Sequence, residues 1–258
     1  MAVDFGRTAD DYARHRAGFP EALFHRLLRD GMVAAGQRLL DLGTGTGSLA
    51  RGFAQCGLQV TGLDPSSAML DQARRLDRAA GVRVSYIAAR AESTGLREAS
   101  FDAVSAGQCW HWFERARAAR EVRRLLRPGG RVIIVHFDWL PLAGNVVEAT
   151  ERLILKHSPG WRGHGGSGVH PAWLGDLALA GFAGLETFSF DQAVSYSHAA
   201  WRGRVRASAG IAASLTRAAV ARFDAEHEAM LAQDFPVDPL LVPHRCWAAL
   251  GRNPEAEV

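Results

Sequence analysis

Lysine is all but absent from this chain: Lys156 is the single one among 30 basic residues, and the rest are arginine. Those arginines are interleaved with 27 acids, giving a net charge of +3 without any long basic run to track a phosphate backbone, so a nucleic-acid partner is not expected. Cysteine is scarce too. Cys56, Cys109 and Cys246 are widely spaced and form no C-x-x-C or Cys/His cluster, which excludes a disulfide framework or zinc site and predicts reduced thiols in a cytoplasmic protein. No apolar run approaches the roughly 18 residues that span a bilayer, and the opening MAVDFGRTADDYARHR lacks an apolar core segment, so no membrane partner is expected. H-E-x-x-H, G-x-S-x-G and G-x-x-x-x-G-K-[ST] are all missing, which removes zinc-protease, α/β-hydrolase and P-loop readings. No internal repeat or interdomain linker is visible, and no metal ligand set is predicted.

What is present is an alternation of apolar strands and helical patterns in a chain of 258 residues, 48% of them hydrophobic. QRLLDL (37–42) reads as a buried strand, LQVTGLD as a second, VRVSYIAA as a third and FDAVSAGQ as a fourth, with helices through about Gln55 and over 66–80 between them. A helix over 114–126 is stopped by Pro128-Gly129-Gly130, and RVIIVHF follows as a fifth strand. Strands alternating with helices imply an α/β, doubly wound, mostly parallel sheet. Beyond Trp139 the pattern thins. The glycine-rich GWRGHGGSGVHP inside 139–171 reads as an insertion or mobile segment over a site, LETFSFDQAV as a strand, 211–235 as a long amphipathic helix and HRCWAAL as a closing strand.

The stretch LLDLGTGTGSLA (39–50) places Gly43, Gly45 and Gly47 between a strand and a helix. Bare backbone there lets a ligand approach closely while the helix N-terminus offers free N–H groups. Two ligands compete. Gly45-Thr46-Gly47-Ser48-Leu49-Ala50 fits the dinucleotide fingerprint, with Asp64 about twenty residues on. Against it, Asp41 precedes the first glycine and suits a cationic amino group better than a pyrophosphate, and the glycines begin one residue early. Pro65-Ser66 after Asp64 is fit to start the next helix and leave the acid facing ribose hydroxyls.

At these residues the sequence resembles the class I S-adenosylmethionine-dependent methyltransferases, in their type 11 small-molecule branch. The resemblance rests on LLDLGTGTG, VTGLDPSSAML, AARAES, SFDAVSAGQCWHWF and EVRRLLRPGGRVIIV in the family's order from about 37 to 137. YARHRAGFP is also similar to the segment preceding the core in trans-aconitate methyltransferase-like enzymes. The resemblance implies a Rossmann-like seven-stranded sheet in a single domain over 1–258. Its core would cover about 32–137 plus the C-terminal strands, and a helical cap about 1–30, 139–171 and 195–235. It further implies S-adenosylmethionine as cofactor, with S-adenosylhomocysteine as product. Asp41, Gly43, Thr44, Gly45 and Gly47 match the loop that holds the methionine moiety. Asp64, with Pro65 and Ser66 behind it, matches the acid on the ribose. Met69 matches a residue near the adenine, Ala91 and Glu92 the segment along the adenine edge, and Gln108 the position beside the transferred methyl group. Arg90 stands where many relatives carry aspartate.

Methyl transfer from a sulfonium to a small-molecule oxygen, nitrogen or carbon nucleophile is an in-line displacement that asks mainly for alignment in a dry site. Where the acceptor must lose a proton, His111 is the candidate base, because it follows a parallel strand where open α/β sheets bind ligands; a packing role is the alternative. Tyr12 and Arg16, four apart, could close over the cofactor or pair at the surface. Trp110 and Trp112 are expected in the core, with a stacking platform as the alternative. A carboxylate acceptor would need no base, and Arg16, Arg204 or Arg206 could anchor it. A non-methyl reaction of the same cofactor, a cofactor-binding module without turnover and an NAD-dependent oxidoreductase are the competing functions. The acceptor and the oligomeric state are not legible.

Overall fold

The computed structural model describes residues 18–208, 210–211 and 214–255. They divide into two compact units, a first of 18–137, 170–190 and 246–255 and a second of 138–169 and 191–245.

Seven strands form one sheet: β1 (Arg38–Leu42), β2 (Gln59–Asp64), β3 (Ser85–Ala88), β4 (Phe101–Gly107), β5 (Leu126–Trp139), β6 (Ala183–Tyr196) and β7 (Leu240–Arg252), in the order β3-β2-β1-β4-β5-β7-β6. Pairs β1·β2, β1·β4, β2·β3 and β4·β5 are parallel. β7 runs against β5. The Gly129 N–H donates to the Asn253 carbonyl at one end while Leu140 donates to Pro243 at the other, so residue numbers rise on one strand as they fall on the next. The mostly parallel doubly wound sheet read from the alternation is therefore present. Its central strands read as unbroken apolar runs because helices cover both faces; Leu39, Leu40 and Leu42 are all fully buried.

The helices are α1 (Glu21–Arg29), α2 (Ser48–Gln55), α3 (Ser67–Ala80), α4 (Arg115–Leu125), α5 (Val146–His157), α6 (Ala172–Leu179), α7 (His198–Arg206) and α8 (Arg217–Asp234). In the first unit Ala118, Val122 and Leu125 of α4 and Trp173 and Leu177 of α6 pack with Leu40, Val104 and Ile134 of the sheet. The second unit has a core of its own, Ile154 of α5, Trp201 and Val205 of α7 and Phe223 and Leu231 of α8. Phe223 is fully buried there, and removing such a side chain from water contributes roughly 1.5 to 3 kcal/mol. Among the described residues no helix is long and apolar enough to cross a membrane.

The expected elements shift in three places. β5 starts at Leu126, before Pro128-Gly129-Gly130 rather than after it. The extra residues are absorbed in a bulge, pairing jumping from Phe101↔Leu126 to Ala103↔Arg131, and Asn253 braces it by donating to the carbonyls of Leu126 and Arg127. The long helix expected over 211–235 begins only at Arg217, because the Thr216 hydroxyl accepts the Ala219 N–H and caps it. The region 139–171 contains a regular element, α5, started by Asn145, whose side chain accepts the Glu148 N–H. Only its glycine-rich end lacks one. That end is tied at Gly165, which donates to Glu151, and at Ser167, whose carbonyl accepts from Arg245.

Candidate functional site

The glycine loop leaves β1 over a carboxylate that is turned inward. Asp41 is 1% exposed and accepts from the Thr44 and Ser105 hydroxyls, each at 2.7 Å. Burial pushes its pKa up to about 6; the hydroxyl bonds and a backbone bond from Ala50 oppose the rise, and the charge of Asp64 adds to it. The acid thus sits at the start of α2, where the helix dipole favours negative charge. Its first measurable work is to hold Thr44, whose N–H donates to Leu63 of the neighbouring strand. Direct contact with a ligand's amino group would be additional to that.

All three glycines of the loop have positive φ, 59°, 54° and 76° for Gly43, Gly45 and Gly47, but what a Cβ would meet separates them. At Gly43 it would lie 2.9 Å from the Cys109 sulfur and 3.0 Å from the Phe113 ring. At Gly47 it would lie 2.4 Å from the Tyr86 hydroxyl. At Gly45 the nearest such atom is the Met69 methyl, 3.8 Å away. Two glycines are therefore bare so that the protein can pack on them. Among the described residues, Gly45 alone of the three is bare toward space.

Asp64, at the end of β2, fixes that middle glycine. One of its oxygens accepts the Gly45 N–H and the other the Ser66 N–H, both at 2.9 Å. It is largely enclosed, and burial raises its pKa against those two bonds. Each oxygen keeps a lone pair for a further donor. Ser66 caps α3 by accepting from Met69, which turns Pro65 out of the helix and buries Met69 beside the loop. Beneath lies a closed network: Arg51 donates to Asp77 and to the Thr46 carbonyl, and the Tyr86 hydroxyl donates to Asp77 at 2.7 Å. Burial and the bond to Asp77 keep that phenol protonated.

The segment after β3 is anchored from α4. Glu121 accepts both the N–H and the hydroxyl of Thr94, and bonds from Arg124 and Thr94 hold it down to about 2. Ala91 is buried, and Glu92 accepts the Glu114 N–H at 2.9 Å while Arg90 stands exposed 3.6 Å from it. Gln108, directly after β4, takes a left-handed φ of 57°, and its amide donates to the Phe137 carbonyl. A non-glycine residue held there is the kind of local strain found at ligand sites.

A short 3₁₀ turn, Trp110–Trp112, follows. Trp110 is fully buried, as expected, with its indole N–H donating to Asp176; Trp112 is not core but 50% exposed, because a 3₁₀ turn points successive side chains in different directions. His111 is exposed. Its ring lies 4.7 Å from that of Trp112 and 5.5 Å from that of His136 on β5. His136 in turn is 4.4 Å from His170, which stacks on Trp173 at 4.1 Å. His136 and His170 were not singled out in the sequence, nor was Ser105; Ser105 and His136 lie within β4 and β5 and His170 just before α6, where no local pattern marks them. Tyr12 and Arg16 lie outside the described residues.

The order of strands and the loop point to one family, and comparisons with known proteins agree. Residues 40–134 match the model of the methyltransferase domain. An uncharacterised methyltransferase of Mycobacterium tuberculosis is 41% identical over 153 residues, covering 57% of this chain and 60% of that protein. The chain thus spans about 60% of the length of that relative. The malonyl-[acyl-carrier protein] O-methyltransferase of Pseudescherichia vulneris is 30% identical over 206 residues, 72% of this chain and 77% of that one. A solved structure described as a type II methyltransferase from Anaeromyxobacter dehalogenans superposes with a TM-score of 0.65 at 28% identity, covering 93% of this chain and 99% of the other. The chain belongs to the class I S-adenosylmethionine-dependent methyltransferases.

Proposed function

We propose that the chain binds S-adenosylmethionine at the carboxyl ends of β1, β2 and β4 and transfers its methyl group to a small-molecule acceptor. The observation that carries this is Gly45: a left-handed glycine open to space, its N–H pinned to an acid with lone pairs to spare. The residues present fit such a group. The backbone of 43–47 would cradle the methionine part, Asp64 would accept ribose hydroxyls, Met69, Ala91 and Glu92 would border the adenine, and Gln108 would face the reacting end. When bound, the sulfonium supplies an electrophilic methyl and departs as a neutral thioether, so no general acid is required. What the chain must add is alignment and, for an acceptor that carries a proton, a base. His111 at the carboxyl end of β4 is that base in our reading, and His111→Ala should lower turnover about 100-fold. An unchanged rate with intact cofactor binding would leave it a packing residue. The Pseudescherichia relative is named for O-methylation, so oxygen acceptors are the first to screen. The same proposal takes the chain as a cytoplasmic enzyme with no nucleic-acid partner.

Calorimetric titration with S-adenosylhomocysteine and separately with NAD tests it. Micromolar binding of the former alone is expected, weakened about 10- to 100-fold in Asp64→Asn as charged hydrogen bonds are lost. Tight NAD binding would overturn the proposal.

A further inference from the structure

Tyr86 on β3 lies across from Gly62 of β2, and its side chain leaves no room for another on either of two glycines. A Cβ on Gly62 would stand 2.6 Å from the phenol ring, and one on Gly47 would strike the hydroxyl. Laid over both, that hydroxyl donates to one oxygen of Asp77 on α3, at 2.7 Å. The other oxygen accepts from the Arg51 guanidinium of α2 at 2.9 Å, and the same guanidinium donates at 2.8 Å to the carbonyl of Thr46, between Gly45 and Gly47. Two helices and a strand thus meet, through side chains, on one peptide of the loop. Asp77 is buried, and enclosing an acid with a guanidinium is less favourable than an apolar contact that would hold β3 on α3 equally well. What the charged chain adds is direction. Apolar packing does not set how a peptide plane is turned, whereas a donor aimed at its carbonyl does. Three left-handed glycines within residues 43–47 have the most backbone freedom to lose, so this is where such a hold counts.

We propose that Tyr86, Asp77 and Arg51 are positioning residues for the cofactor. The phenol fixes the carboxylate, the carboxylate fixes the guanidinium and the guanidinium fixes the Thr46 carbonyl, so that 43–47 holds its ligand-binding shape before S-adenosylmethionine arrives. None of the three acts by touching the ligand. They set the fraction of molecules whose loop is ready, and apparent affinity falls in proportion as that fraction falls. That the loop binds S-adenosylmethionine rests on the methyltransferase reading; that these side chains set its shape does not.

The test compares the full native chain with Tyr86→Phe, Arg51→Lys and Arg51→Met. It reads S-adenosylhomocysteine affinity by calorimetry, amide exchange at Gly45 and Gly47 without ligand, and stability in urea. Both amides are hydrogen-bonded, to Asp64 and to the Thr44 carbonyl, so loosening of the loop registers there. Tyr86→Phe keeps the ring over both glycines and removes only the hydroxyl. It should weaken binding about three- to tenfold and speed exchange at Gly45 and Gly47, with the amides of β4 as protected as in the native chain. Arg51→Lys keeps a charge beside Asp77, but one ammonium does not occupy both the Nε position facing Asp77 and the terminal nitrogen position facing Thr46. Relative to Arg51→Met, stability should therefore recover while affinity stays low; a merely structural role would restore both together. The affinity losses of Tyr86→Phe and Arg51→Met should also fail to add, because each breaks the same chain of bonds. Should Arg51→Met fail to fold with Asp77 left unpaired, Tyr86→Phe still decides. Unchanged affinity or unchanged loop exchange in that variant overturns the proposal, as does affinity that recovers with stability in Arg51→Lys. If the native chain does not bind S-adenosylhomocysteine while Tyr86→Phe still loosens Gly45 and Gly47, the methyltransferase reading falls and the positioning of the loop stands.

Discussion

Asp41 in the first unit is a buried carboxylate and Asp224 in the second a partly buried one, and they are satisfied in opposite ways. Asp41 meets hydroxyls and a backbone N–H; burial wins, and its pKa rises to about 6. Asp224 is also raised by burial, but bonds from Arg202 and Arg206 more than offset it and the net shift is downward. Around the glycine loop acids hold the chain in shape: Asp41 accepts from Thr44 and Asp64 from the N–H groups of Gly45 and Ser66. Asp224 neutralises two side chains, Arg202 and Arg206.

The strongest way to break the first half of this comparison is Gly47→Ala. Its methyl would strike the Tyr86 hydroxyl at 2.4 Å and Ala73 at 3.2 Å, with φ at 76°. Overpacking and the left-handed penalty together should cost about 3 kcal/mol or more in urea unfolding. Gly45→Ala has the same backbone penalty without the clash and should cost about 1 kcal/mol of stability. Its S-adenosylhomocysteine affinity should nevertheless fall at least about tenfold, since the added methyl would stand where the ligand is proposed to approach. Equal stability loss in the two variants would mean that the middle glycine is as structural as its neighbour.

Next in size is the pH dependence of Asp41. Its folded pKa lies above the value for an unfolded aspartate, so the folded state holds the proton more tightly and stability falls as pH rises from about 4 through 6. A shift from 3.8 to about 6 corresponds to roughly 2 to 3 kcal/mol across that window. Asp41→Asn should flatten it, read as the difference between native and variant unfolding free energies at pH 4 and pH 7. If a ligand's cationic amino group meets this acid, binding will also strengthen as pH rises through 6 in the native chain only.

Why the loop was legible and the pairing of the α7 arginines was not follows from the same contrast. Backbone-shaping residues leave marks in sequence, because left-handed turns demand glycine, strands demand unbroken apolar runs and helix starts demand a Ser66. β1, β2 and β4 and the glycine loop between β1 and α2 were therefore readable to within a residue or two. Which of the three glycines are packed against, and which is not, was not readable, since that depends on Cys109, Phe113 and Tyr86 arriving from distant strands and turns. α5 did have a local signal, Asn145 three residues before Glu148, lost behind the glycines that follow it. α8 buries Phe223, His227 and Leu231, one residue per turn, too narrow a stripe to mark its start. Arg202, Arg204 and Arg206 are alike on paper; only the position of Asp224 sorts them.

The smallest effect tests the second half of the comparison. Asp224 has a lowered folded pKa, so its contribution is present above the unfolded value near 4 and is lost as pH falls through the folded one, the reverse of Asp41. Asp224→Asn should destabilise the chain at pH 7 by about 1 to 2 kcal/mol, because two partly solvated guanidinium groups lose their shared acceptor. Below pH 4 the native chain and the variant should converge, whereas native and Asp41→Asn differ most above pH 6. Raising salt should shrink the Asp224 effect and leave that of Asp41 nearly unchanged, since ions screen half-exposed charges and do not reach a carboxylate facing two hydroxyls. A salt-insensitive Asp224 effect would place its arginines in a drier setting than their exposure implies, and the contrast between a carboxylate held by hydroxyls and one held by charge would lose its second term.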